Sequence, residues 1–164
     1  MKAVLQGLFF CLVTTAFFLF YPAEKKTDHP LSRGWGADIE WVQSYEEGLF
    51  QAKTREKPLM VIHHLMDCPY SKALKELFSQ HEEIQKIAKE DFIMMNVMHE
   101  TADSNLAPDG YYVPRIIFVD PTMTVRTDLI GNVEKLKYTY SHEDLDKLLE
   151  NMKKAVSERL RIEL

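Results

Sequence analysis

The residues best placed to do chemistry are Cys68-Pro69-Tyr70-Ser71, a Cys-x-x-Ser tetrapeptide between an apolar run and an amphipathic one. Side chains three residues apart at a helix start share a face, so the Ser71 hydroxyl can reach the Cys68 sulfur. A sulfur at that place also sits over unbonded backbone amides and the positive end of the helix dipole. Both favour thiolate, the nucleophile of disulfide exchange. Ser71 can bond the sulfur but cannot attack a mixed disulfide. The site can therefore bond to a client cysteine or reshuffle a client disulfide. It is at most a thiol-disulfide isomerase, and no net dithiol oxidoreductase activity is expected of it. Asp67 pulls the other way, since an adjacent carboxylate disfavours thiolate. Protonated His63 or His64 would offset it, but strand alternation lets at most one of them face the site.

Cysteine arithmetic gives Cys68 its weight. The chain holds two cysteines, and Cys11 lies in an apolar leader. One mature cysteine makes no internal disulfide; in an oxidising compartment it pairs with another molecule or stays a free reactive thiol. The bland alternative is a buried, inert thiol. Val113-Pro114 offers a second contact. A proline after a loop and before a strand is either a cis peptide beside the cysteine, whose Val113 backbone pairs with an extended client, or an ordinary strand-start proline. The pattern weighs the two evenly. His63, His64, His99 and Cys68 contain no pair at structural-zinc spacing, so no metal is expected. No Ser/His/Asp signature or phosphate-cradling glycine loop appears, and no cofactor is expected.

The elements that must position these residues read as one domain behind a leader. The chain has 164 residues, 27% of them charged, which rules out a mostly membrane-embedded chain. A net charge of −5 with no basic block excludes a nucleic-acid partner. Residues 1–23, with Lys2 followed by an uncharged run to Tyr21, read as a secretory signal peptide. The run approaches the roughly 18 residues that span a bilayer, so a retained anchor is the alternative. Either way the rest of the chain enters the lumen. Residues 24–36 read as a flexible linker, with a turn at Gly34-Trp35-Gly36 and with Trp35 and Trp41 as core anchors.

Residues 37–160 carry the domain. The capping box Ser44…Glu47 opens a helix over 45–53. Lys57-Pro58 breaks into an apolar strand at 59–65. Pro69 suits the first helical position, which makes Cys68 the cap of a helix whose buried face is Leu74, Leu77 and Phe78. A second helix over 82–89 buries Ile84, Ile87 and Ala88. Strands follow at 92–98 and 115–120, then a fourth at 124–130, antiparallel across a hairpin. Ser141 opens a final helix with the stripe Leu145, Leu148, Leu149, Met152 and Val156. Strand-helix-strand gives a parallel pair and the hairpin adds antiparallel strands: an α/β sandwich on a mixed sheet. The tail Arg161-Ile162-Glu163-Leu164 resembles Lys-Asp-Glu-Leu in its last two positions, which makes an endoplasmic reticulum retrieval receptor an expected partner.

Several segments together point to a family. They are Leu31-Ser-Arg-Gly-Trp-Gly36, Lys57-Pro-Leu-Met-Val-Ile-His-His-Leu65, Cys68-Pro-Tyr-Ser71, His99-Glu-Thr101, Pro108-Asp-Gly110, Tyr112-Val-Pro-Arg-Ile116, Phe118-Val-Asp-Pro121 and Glu150-Asn-Met-Lys-Lys-Ala155. The chain resembles the anterior gradient proteins, a branch of the protein disulfide isomerase family. The resemblance implies a thioredoxin-like fold, with four to five strands in a mixed central sheet flanked by helices. It implies a folding assistant of the endoplasmic reticulum lumen, with some secretion. Cys68 would form mixed disulfides with cysteine-rich, mucin-like clients, with Ser71 and Tyr70 shaping the site and Val113-Pro114 holding the client. The family's secreted roles in patterning and regeneration imply an alternative: an extracellular ligand for a cell-surface receptor, with the thiol incidental. Some members form homodimers through the first helix, where a glutamate pairs with a lysine one turn on. Here Glu47 stands and Gln51 replaces the lysine. The tail also departs from the family's Lys-Thr-Glu-Leu type of ending.

Overall fold

A computed structural model of the chain describes residues 29–98, 103–131 and 136–159. The leader, His99 and the tail Arg161 to Leu164 lie outside the described residues. Helix α1, Tyr45–Arg55, begins at Ser44, whose hydroxyl accepts from the Glu47 amide at 3.2 Å. The Glu47 carboxylate reaches back one residue further than a capping box requires and accepts from the Gln43 amide at 3.0 Å. The helix ends where Glu56 turns left-handed, at φ 54. Pro58 then leads into strand β1, Leu59–His63.

Helix α2, Pro69–Gln80, and helix α3, Glu82–Asp91, follow, and strand β2 is Ile93–Val97. Strand β3, Arg115–Val119, comes after a loop with one 3-10 turn at Ser104–Leu106. Helix α4, Leu145–Arg159, closes the described chain. The order in the sheet is β2-β1-β3. β1 and β2 are parallel, from Leu59 opposite Ile93 to His63 opposite Val97. β1 and β3 are antiparallel, with His63 opposite Arg115.

Strand alternation divides the core in two. Met60, Ile62, Met94, Ile116 and Phe118 face Leu74, Phe78, Ile84, Ala88, Leu148 and Met152 from α2, α3 and α4. Leu59, Val61, Ile93, Ile117 and Val119 face Val42 and Ala52 on the α1 side. Every strand residue is buried, which is why β1 reads as a nearly continuous apolar run. On α2 the buried stripe is Ser71, Leu74 and Phe78, whereas Leu77 is exposed.

Two expectations are corrected. The sheet has three strands among the described residues, where four to five were expected. Among the described residues, 124–130 pair with the sheet only at an isolated bridge between Val119 and Val125, closed by the Arg126 amide on the Phe118 carbonyl at 2.8 Å. Arg126 folds back onto Asp128 and Glu158, and the Leu129 amide turns to the Arg126 carbonyl so that Leu129 enters the core. A chain making these contacts has left the ladder.

The second correction concerns 24–36. The described part of that segment is packed rather than a flexible linker. Ser32 and Trp35 are fully buried. Asn96 donates to the carbonyls of Leu31 and Ser32, and its own oxygens accept from the Arg33 guanidinium at 2.7 and 2.9 Å. Gln85 donates to the Trp35 carbonyl at 2.9 Å, and the Trp41 indole to that of Gly36 at 3.0 Å. Gly36 sits at φ 148, and a Cβ there would run into the Gln85 carboxamide. Trp35 and Trp41 are the core anchors that the sequence implied.

Candidate functional site

Cys68 is the cap residue of α2, at the end of the turn leaving β1, with Pro69 in the first helical position. Its carbonyl accepts from the Lys72 amide at 3.0 Å, and its amide donates to Leu65 at 3.3 Å. The thiol is half-buried. Ser71 is buried beneath it, and the Ser71 hydroxyl also meets the Leu65 amide at 3.5 Å. The sulfur makes no close capping hydrogen bond to the first turn, and the Tyr70 and Ser71 amides act on it at longer range.

The electrostatic balance on Cys68 has three parts. Burial pushes the thiol pKa up, while the Ser71 hydroxyl and then the backbone amides of Ser71 and Tyr70 hold it down. The result lies below the ordinary thiol value. Asp67, the expected opponent, is exposed to water. Ser71→Ala is therefore expected to raise the Cys68 pKa and slow its alkylation at neutral pH. The iodoacetamide rate measured against pH should move to higher pH; a superimposable profile would remove Ser71 from the site.

His64 supplies no positive charge to the site. His63 and His64 are both buried. His64 lies edge-on to Trp35 with ring centres 5.3 Å apart, and its Nε2 is 3.4 Å from the Asn96 carboxamide oxygen. Burial, opposed by that hydrogen bond and helped by Lys75 and Arg33, pushes its pKa down to about 4. At neutral pH the imidazole is uncharged. Among the described residues no three His, Cys, Asp or Glu side chains are placed to hold a metal.

The Val113–Pro114 peptide is cis. It immediately precedes β3, whose first residue, Arg115, lies opposite the last residue of β1. The turn that leaves β1 toward Cys68 and the Val113–Pro114 peptide that enters β3 thus lie at the same end of the sheet. Pro114 is buried and Val113 half-buried. Tyr70 is 62% exposed, and Met66, which the sequence reading passed over, is 61% exposed; both flank the thiol along the chain.

Sequence reasoning missed a group next to this end of the sheet. Arg115 is only 2% exposed. Its Nη1 donates to the carbonyls of Gly110 at 2.7 Å and Tyr112 at 3.1 Å, and the guanidinium lies 5.3 Å from the centre of the Tyr112 ring. The Tyr112 hydroxyl donates to the Asp109 carboxylate at 2.7 Å and accepts from the Tyr138 amide at 3.0 Å. Burial and the Asp109 bond raise the Tyr112 pKa well above the usual phenol value. The signal was a charged residue opening the apolar run Ile116-Ile117-Phe118-Val119. Asn96 within β2 was the matching signal for the docked segment around Trp35.

Glu47 and Gln51 on α1 bond to each other, Gln51 Nε2 to Glu47 Oε1 at 3.0 Å, and Glu47 is exposed beside an exposed Phe50.

A family model described as thioredoxin-like matches residues 40–121. The chain is 58% identical over 152 residues to "Anterior gradient protein 3" of Homo sapiens, covering 92% of each chain. It is 61% identical over 133 residues to "Anterior gradient protein 3" of Mus musculus, covering 81% of each. It is 53% identical over 158 residues to "Anterior gradient protein 2-B" of Xenopus laevis, covering 95% of this chain and 96% of that one.

Proposed function

The chain belongs to the anterior gradient proteins, on the thioredoxin-like fold of the protein disulfide isomerase family, and we propose that it assists folding in the endoplasmic reticulum lumen by forming mixed disulfides through Cys68. The observation that carries this reading is the Cys68 thiol itself: half-exposed at a helix start, and held below its ordinary pKa by Ser71 and the first-turn amides.

The chemistry balances without an added oxidant. The Cys68 thiolate attacks one sulfur of a client disulfide. A new sulfur–sulfur bond forms to Cys68, the client bond breaks, and the second client sulfur leaves as thiolate and takes a proton from water. Ser71 cannot resolve this adduct. A client thiolate must attack the client sulfur of the mixed disulfide, which returns Cys68 as thiolate and leaves a rearranged client disulfide. The outcome is isomerisation with no net oxidation or reduction. Tyr70 and Met66 offer apolar surface beside the thiol, and the Val113 backbone offers a strand partner for an extended client segment. Cysteine-rich, mucin-like secretory proteins are the clients this chemistry suits. Residues 161–164 would return the protein to the lumen through a retrieval receptor, with a secreted fraction where retrieval fails.

The test is trapping. Cells expressing the full chain are quenched with N-ethylmaleimide and resolved on a non-reducing gel. Wild type should give higher-mass adducts that collapse on reduction, and Cys68→Ser should give none. Adducts that persist in Cys68→Ser would overturn the reading.

A further inference from the structure

We propose that Arg115 is a positioning residue for client binding: its buried guanidinium holds the backbone at Val113 in the shape against which an extended client segment pairs. This rests on the reading of Cys68 as a client-bonding thiol.

A buried guanidinium persists only where its donors are met. Among the described residues, Arg115 meets them in part: Nη1 donates to two main-chain carbonyls and the guanidinium lies over a ring face, with no carboxylate bonded, while Nε has no partner. The two carbonyls belong to Gly110 and Tyr112, so the cation fastens the loop directly ahead of Val113. The same loop is tied from the other side. Asp109 accepts from the Lys137 amide at 2.9 Å, and the Tyr112 hydroxyl bridges Asp109 to the Tyr138 amide. Val113 therefore lies between a held Tyr112 carbonyl and a buried Pro114. Its own amide and carbonyl make no backbone hydrogen bond to another described residue. The protein has clamped the flanks of a peptide unit and left the unit itself open for a strand partner. Both bonds leave one nitrogen, Nη1, while the guanidinium plane lies over the Tyr112 ring; lysine keeps the charge but lacks that plane, so it cannot hold the same nitrogen on both carbonyls while covering the ring.

The experiment compares two reactions of Cys68 in the full mature chain. One is alkylation by iodoacetamide, which needs only the thiolate. The other uses a short extended peptide whose single cysteine is disulfide-bonded to thionitrobenzoate. Cys68 thiolate attacks the peptide sulfur, the bond to thionitrobenzoate breaks, and the coloured thiolate leaves. In Arg115→Lys the ratio of peptide rate to iodoacetamide rate should fall about tenfold or more, toward the roughly hundredfold that a misplacement of about 1 Å can cost. Most of that fall should appear as a higher peptide concentration at half-saturation. An unchanged ratio, whether both rates hold or both drop together, overturns the proposal. If Arg115→Lys is unfolded by circular dichroism, Tyr112→Leu decides by the same ratio, since it removes the ring and the Asp109 anchor. Wild type that never saturates with the peptide sinks the client-strand reading itself, which separates that failure from the failure of Arg115.

Discussion

Trp35→Ala is expected to destabilise the domain by about 3–5 kcal/mol, the range for truncating a fully buried large aromatic. Trp35 has no exposed surface. Its ring packs edge-on against Phe78 and against His64, with centres 5.3 Å apart in each case. Both neighbours are anchored elsewhere, Phe78 on α2 and His64 just past the end of β1, so the space cannot collapse cheaply. Alanine would leave a cavity between the amino-terminal segment and the core. Urea unfolding followed by fluorescence of the remaining Trp41 gives the measurement. A midpoint that moves by less than the equivalent of about 1 kcal/mol, at constant slope, would show that residues 31–36 are a surface strap and not part of the core.

Acid is expected to act through His64. Its pKa falls from 6.5 in the unfolded chain to about 4 in the fold. A base with a lowered folded pKa loses stability as pH falls. Above pH 6.5 neither state binds the proton and the contribution is flat; between 6.5 and 4 only the unfolded chain takes it up. A gap from 6.5 to about 4 corresponds to a loss of about 3 kcal/mol by the bottom of that window. Burial is the main cause of the direction, and the groups facing the ring add to it. Arg33 and Lys75 are cations and Trp35 is apolar, so only the Asn96 oxygen welcomes a charged imidazole. Unfolding free energies at pH 7 and pH 4, for wild type and for His64→Gln, isolate the effect from the other histidines. Wild type should lose about 3 kcal/mol more than the variant. Equal losses would mean that His64 titrates as it does in water.

Much of the site was legible because its physics is local. Pro69 at a first helical position, and the spacing of Cys68 and Ser71, place the sulfur and the hydroxyl together whatever the rest of the chain does. The capping serines and the apolar run along 59–63 likewise show in near neighbours only. The illegible parts depend on distant ones. A fourth strand at 124–130 is reasonable from residue types, but Arg126 finds Glu158, which lies on α4. The reading of residues 24–36 as linker failed in its described part for the same reason, since the partner of Leu31 and Ser32 is Asn96.

By itself, then, the sequence determined a thiol at a helix start, a hydroxyl rather than a second thiol three residues on, and buried strands around them. Each follows from periodicity, capping and side-chain type. Only the tertiary structure decided the charge state of His64, the burial of Trp35 and the Arg115 clamp ahead of Val113. Those depend on which groups meet in a low-dielectric interior, where an unpaired charge or donor is expensive, and residues far apart in the chain supply the partners.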